Sequence, residues 1–173
     1  SADGGGHWAR FKGGNLPAVA VRDIAIHPLD HDLVLATHGR GIWIVDDITM
    51  LRKLTPAALA RGGAFVQTKP VVQVISAGGG WANGDAEFIG ANPPGDAVIT
   101  YYLKKRHIFG DMRLQVFDST GKLVQTLPTG KRRGLSRVAW SMRMAPPRVP
   151  AAASAAFVVG PRFLPGRYTV KLT

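Results

Sequence analysis

Apolar positions in this chain recur at strand spacing rather than helix spacing. Residues 19–26 alternate and end at His27-Pro28, and residues 33–37 and 42–46 are two further runs of strand length. The break between those two runs, His38-Gly39-Arg40-Gly41, suits a hairpin loop, because glycine reaches positive φ without a Cβ clash. A short strand is expected over 8–11, broken by Asn15-Leu16-Pro17. Thr55 and Pro56 stand in the order of an N-cap and a first helical position, so one helical turn is expected there, stopped by Gly62-Gly63. Residues 65–67 and 71–75 are apolar enough for strands and are split by Pro70. Residues 97–103 read as a strong strand, and 112–117 alternates with Met112, Leu114 and Val116 on one face. Asp118 to Lys122 forms a turn, 123–127 returns, 135–142 is a strand centred on Val138 and Trp140, and 164–172 is a turn and a closing strand. Trp140 and Tyr168 sit mid-strand among apolar neighbours and are expected to be buried between two sheets. Residues 77–84 and 146–156, rich in glycine and in proline and alanine respectively, read as loops.

Composition agrees with many short strands. Hydrophobic residues make up 46% of the 173, enough for a core, while 21 glycines and 12 prolines punctuate the chain often. No apolar run approaches the roughly 20 residues a membrane-spanning helix needs, and no membrane partner is expected. No charged, apolar and small-residue leader opens the chain, so a signal peptide is expected to be absent or removed. With zero cysteines, disulfides and thiol catalysis are excluded and the redox compartment stays open. Net charge is +11 and uneven: residues 70–173 hold 14 Lys/Arg against 5 Asp/Glu. A polyanion partner fits that surplus, and so does a solvated basic face.

The opening residues, Ser1-Ala-Asp3-Gly-Gly5-Gly-His7-Trp8, resemble the Asp-box of bacterial neuraminidase repeats, Ser-x-Asp-x-Gly-x-Thr-Trp, with His7 where threonine is usual. Asp3 can accept from the turn backbone, Gly5 permits the reversal, and Trp8 can pack the returning strand. In that family the box is structural and joins the last two strands of a propeller blade. With Asp23-Ile-Ala-Ile-His-Pro28, Asp32-Leu-Val-Leu-Ala-Thr-His-Gly-Arg-Gly41 and Trp43-Ile-Val-Asp-Asp-Ile48, residues 1–54 look like the last blade of sortilin-like, Asp-box-repeat bacterial propellers. Those are large secreted proteins, often glycosyl-hydrolase-like. Farther on, Asp118-x-x-Gly121-Lys-Leu-Val, Arg137-Val-Ala-Trp140 and Pro165-Gly166-Arg-Tyr168-Thr-Val resemble the immunoglobulin-like module of the flagellar hook-cap protein. The two resemblances imply an all-β chain: a terminal, incomplete β-propeller blade region (1–54), a junction (55–85) and an immunoglobulin-like β-sandwich (86–173).

Candidate chemistry is sparse. His27, Asp30, His31 and Asp32 crowd together, but the His-x-x-x-His spacing suits metal on a helix and Pro28 makes this a turn, so no metal site is expected. A glycosidase needs two carboxylates about 5–10 Å apart. The sequence has one glutamate, Glu87, in a loop, and Asp46 and Asp47 are adjacent and would point to opposite faces of a strand. Asp47 is better placed to cap the chain's exit from the blade. Arg40, between two glycines, suits an anion or an ion pair with Asp46 or Asp47. His38, Arg40, Asp46 and Asp47 are therefore the candidate ligand-binding residues. Lys131, Arg132 and Arg133 form an exposed basic tip suited to a polyanion, and Lys104 to His107 form a second. Neither interleaves with aromatics as a nucleic-acid platform does. The Gly-rich stretch at 77–84 lacks the Lys-Ser/Thr of a phosphate loop, and no nucleophile elbow or dinucleotide fingerprint is present.

The leading expectation is a non-catalytic C-terminal portion of an extracellular or periplasmic propeller protein, with a structural or a carbohydrate- or protein-binding role and no cofactor. Residues 1–54 hold too few strands to close a ring, so the remaining blades or a second copy should pack on them. Two alternatives stand beside it: a fragment of a propeller glycoside hydrolase whose carboxylates lie mainly elsewhere, and a polyanion-binding module using the basic loops.

Overall fold

The computed structural model of the chain describes residues 1, 4–8, 15–67, 70–75, 95–148 and 159–173. Nine strands and two short helices follow one another in these residues: β1 (Val21–Ile26), β2 (Leu33–Thr37), β3 (Ile42–Val45), α1 (Thr49–Arg52), α2 (Pro56–Ala60), β4 (Gly63–Gln67), β5 (Ala97–Leu103), β6 (Leu114–Phe117), β7 (Leu123–Leu127), β8 (Gly134–Trp140) and β9 (Thr169–Leu172). They build three three-stranded sheets, ordered β1-β2-β3, β4-β5-β8 and β7-β6-β9. The chain is thus mostly β, as its apolar spacing predicts. It divides into two compact units, one holding Ser1–Gln67, Thr100–Arg106 and Arg132–Leu135, the other Thr68–Ile99, His107–Lys131 and Ser136–Thr173.

In the first unit β1, β2 and β3 form an antiparallel meander. The β2–β3 loop is closed by Thr37, whose N–H and hydroxyl both donate to the Gly41 carbonyl (3.1 and 2.6 Å). Gly39 and Gly41 hold φ of 71° and 73°, which glycine tolerates freely. Beyond β3 the chain turns at Asp47 (φ 43°) into α1, a helix that the apolar pattern does not predict. Four residues are too few to show a 3.6 period. What holds α1 is local: the Asp47 carboxylate accepts from the Thr49 N–H at 3.1 Å and from the Thr49 hydroxyl, and Met50 is buried. The expected helical turn at α2 does form, with Thr55 Oγ1 accepting from the Ala58 N–H at 3.2 Å. Buried Leu35, Ile48, Met50, Val66, Tyr101 and Leu103 are this unit's apolar core.

The second unit packs Ile99, Met112, Leu114, Val116, Leu127, Val138, Trp140, Met142 and Phe163 into its interior. Leu114 and Val116 are fully buried on the face the alternation predicts, and β6 pairs antiparallel with both β7 and β9. The Asp118 turn closes the β6–β7 hairpin, with Gly121 at φ 82°. Trp140, 5% exposed, meets the rings of Phe163 and Tyr168 at 5.6 and 5.1 Å, and its Nε1 donates to Gln125 Oε1 at 2.8 Å. Tyr168 is half-buried rather than buried. Its ring covers Trp140, while its hydroxyl reaches out to donate to the Leu164 carbonyl at 2.6 Å.

One expected strand is absent. Residues 71–75 carry no ladder among the described residues; Val72, Val74 and Ile75 are exposed, and Gln73 Nε2 donates to the Phe163 carbonyl at 3.3 Å. Pro70 brings no N–H to a ladder, and β propensity without a paired edge does not make a strand. All but Trp8 of the strand expected over 8–11 and the whole loop at 77–84 lie outside the described residues, as does most of the loop at 146–156.

Candidate functional site

The sheet β1-β2-β3 is mostly apolar on both of its faces. Because side chains alternate along a strand, the register places Ile24, Leu35 and Trp43 in one row and Ile26, Leu33 and Val45 in the next, all on one face. The opposite face carries Ala25, Val34 and Ile44 in a row, and Ala36 between Ile42 and the exposed Asp23 at the sheet's end. Of these side chains Leu35 alone is buried. Ile24 is 61% exposed, Ile42 70% and Ile44 58%, so each face leaves large apolar side chains open to solvent. A lone antiparallel sheet with one solvated face would alternate apolar with polar residues; a sheet covered on both sides does not. Among the described residues β1 and β3 are also edges, each paired on one side alone.

The candidate ligand-binding residues do not converge on this sheet. His38 and Arg40 lie at one end of β3 and Asp46 and Asp47 at the other, separated by four residues, or roughly 13 Å at about 3.3 Å per residue. The expected ion pair of Arg40 with Asp46 or Asp47 therefore does not form, since the hairpin register sends them to opposite ends. Arg40 is exposed, and its carbonyl accepts from Trp43 Nε1 at 2.9 Å. His38 donates its backbone N–H to the Ala20 carbonyl, and its Nδ1 lies 3.5 Å from Arg22 Nη2. At the other end Asp32 Oδ1 accepts from the Asp47 N–H at 2.8 Å, and His31 O accepts from the Ile48 N–H at 2.9 Å. The Asp47 carboxylate is spent on Thr49, so this cluster fixes the chain's exit from β3. His27 Nδ1 stands 3.0 Å from Asp30 Oδ2. Among the described residues no three His, Asp or Glu side chains gather as metal ligands.

Of the Asp-box residues, Ser1 Oγ accepts from the Gly5 N–H at 2.8 Å, and Gly4 and Gly5 hold positive φ of 70° and 104°. Asp3 lies outside the described residues, as does Glu87. Trp8 is 81% exposed.

The basic tips are partly rearranged relative to expectation. Arg132 and Arg133 are exposed, but Lys131 is half-buried and turned inward: its Nζ donates to the Gly110 carbonyl at 2.9 Å, while its own carbonyl accepts from the His107 N–H at 2.9 Å. Lys104 Nζ donates to the Ala60 carbonyl at 3.2 Å.

Sequence reasoning missed two features. One is a cleft of about 460 Å³ in the second unit, floored by Trp140, Phe163 and Tyr168 and walled by Val72, Val98 and Leu164. Its polar groups are already bonded within the chain, as the Trp140, Tyr168 and Gln73 contacts show. The other is the Tyr168–Leu164 hydrogen bond, in which the hydroxyl reaches back to a backbone carbonyl four residues upstream; the Pro165-Gly166-Arg-Tyr168 run was its available signal. No family model, curated protein or solved structure matches the chain significantly.

Proposed function

We propose that this chain is a non-catalytic C-terminal portion of a secreted Asp-box propeller protein. Residues 1–54 would serve as the last blade region and residues 86–173 as an appended immunoglobulin-like sandwich, with a structural or a carbohydrate- or protein-binding role. The observation that carries this reading is the two-faced apolar sheet. In a propeller every blade is sandwiched between two neighbours, so both faces of its sheet must be apolar, whereas a sheet at the surface of a two-layer domain needs one such face. Ile24 and Ile26 would meet one neighbouring blade, and Ile42 and Ile44 the other. The Tyr168–Leu164 hydrogen bond and the closing turn of β6 and β7 support the sandwich half.

The partner is the rest of the propeller, or a second copy where the blades are missing. Native mass spectrometry with amide exchange tests this. The isolated chain should self-associate or bind the remaining blades, and amides over 21–45 should exchange rapidly in the free monomer and slowly in the complex. A monodisperse 18.5 kDa monomer with protected amides across β1 to β3 would overturn it.

A further inference from the structure

The cleft of about 460 Å³ in the second unit is built by that unit alone, since every described residue lining it falls within the unit's bounds. Ring packing fixes its floor. Trp140 lies 5.6 Å from the Phe163 ring and 5.1 Å from the Tyr168 ring, which are 6.1 Å from each other. Beside them Met142 is buried at φ 54°, a backbone conformation that residues other than glycine rarely adopt. Two hydrogen bonds hold it there: the Phe163 N–H donates to the Met142 carbonyl at 2.9 Å, and the Met144 N–H donates to the Pro161 carbonyl at 2.8 Å. A strained residue that its surroundings over-determine marks a place where shape is kept against the local backbone preference.

The lining selects the guest. Among the described residues no charged side chain lines the cleft, and its side-chain donors are Gln73, Trp140 and Tyr168. Each is bonded inside the unit: Gln73 Nε2 to the Phe163 carbonyl, Trp140 Nε1 to Gln125 and the Tyr168 hydroxyl to the Leu164 carbonyl. A sugar entering here would leave its own hydroxyls without those partners, whereas an apolar cavity accepts an apolar guest. Charged residues next to the lining along the chain are of both signs. Arg143 is turned to the Gly160 carbonyl and Lys171 to the Phe117 ring, which leaves Asp96 against Arg162 and Arg167, so no cation cluster calls for an anion. The walls are what a guest would cover: Val72 and Leu164 are each 79% exposed and Val98 43%. The volume falls among small-molecule sites, about 300–1,000 Å³. A protein partner needs a far broader face, about 800 Å² on each side.

We propose that this cleft binds a small, uncharged, apolar molecule, which lies on the Trp140, Phe163 and Tyr168 floor and covers Val72, Val98 and Leu164. Met142 supplies the adaptable contact, since an unbranched thioether side chain fits guests of differing shape. The proposal rests on the second unit alone, so it and the propeller reading can fail separately.

Toluene titrated into the full chain and followed by two-dimensional NMR tests it. Saturable shifts should appear at the Trp140 indole N–H and at the methyl groups of Val72, Val98 and Leu164, and not across the rest of the chain. Val72→Asp and Leu164→Asp should each weaken toluene binding by about tenfold, because an apolar wall is lost. Both positions are mostly exposed, and an unchanged Trp140 indole signal in the probe-free variants checks that the floor is intact. Val98→Phe, which narrows the cleft without adding charge, should weaken binding as well. Methyl β-glucoside at the same concentrations should leave all of these signals unmoved. The absence of saturable shifts up to the solubility of toluene overturns the proposal, as do shifts that all three variants leave unaltered. Glucoside shifts at the same signals also overturn it, since the cleft would then be a sugar site.

Discussion

Asp118 spends one carboxylate oxygen on three donors: the Thr120 hydroxyl at 2.6 Å, the Thr120 N–H at 2.9 Å and the Lys122 N–H at 3.0 Å. The Thr120 hydroxyl is the largest cause holding this carboxyl below its ordinary range; slight burial opposes it, and the Lys122 and Thr120 backbone N–H groups and the Lys122 charge add to the lowering. A group whose pKa is depressed by folding stabilises the fold above its unfolded value and ceases to do so as pH falls through its folded value. The β6–β7 turn should therefore hold at neutral pH and loosen only in acid below the usual aspartate range. NMR titration of the Asp118 carboxyl should show the low midpoint, and Thr120→Val should raise it. Trp140 is the second informative residue. Its ring packs on two others and its Nε1 is bonded, so Trp140→Ala should cost about 3–5 kcal/mol in the urea unfolding of its unit. Both were legible in the chain, one as Asp-x-x-Gly and one as an aromatic among apolar neighbours. Lys131 was not. A lysine beside two arginines reads as solvated charge, and only the fold brings Gly110 and His107 to it.

Elements were legible where a local signal sufficed. α2 has its N-cap and its proline in sequence, and Thr55→Ala should destabilise that turn by about 1 kcal/mol, read as faster amide exchange at Ala58. The three strands of the first sheet fall within two residues of their expected bounds, because each apolar run is bounded by proline, glycine or aspartate. Residues 71–75 have the same composition and form no ladder. Strand formation depends on a partner edge that composition cannot supply. The ends of β3 carry a similar lesson for the candidate site. His38, Arg40, Asp46 and Asp47 lie close in sequence, yet an intervening strand keeps them far apart, whereas a helix would have gathered them within a turn or two. α1 was invisible for the opposite reason, being too short for any period and dependent on the Asp47 carboxylate.

At the scale of the whole molecule, the two-faced sheet governs what the chain can do by itself. Ile44→Lys should place a charge on one face, raise the soluble yield of the free chain and, on the proposed propeller reading, weaken its association with the remaining blades by about tenfold or more, measured by sedimentation. The sheet also has a history to survive during synthesis. Strands over 21–45 pair locally and quickly, but that pairing leaves large apolar side chains on both faces open to solvent. Among the described residues β1 and β3 are open edges beside exposed isoleucines, the pairing that seeds aggregation. In refolding, recovery should thus fall as concentration rises and be restored by a holding chaperone, so the sheet's survival depends on how soon its open faces are covered.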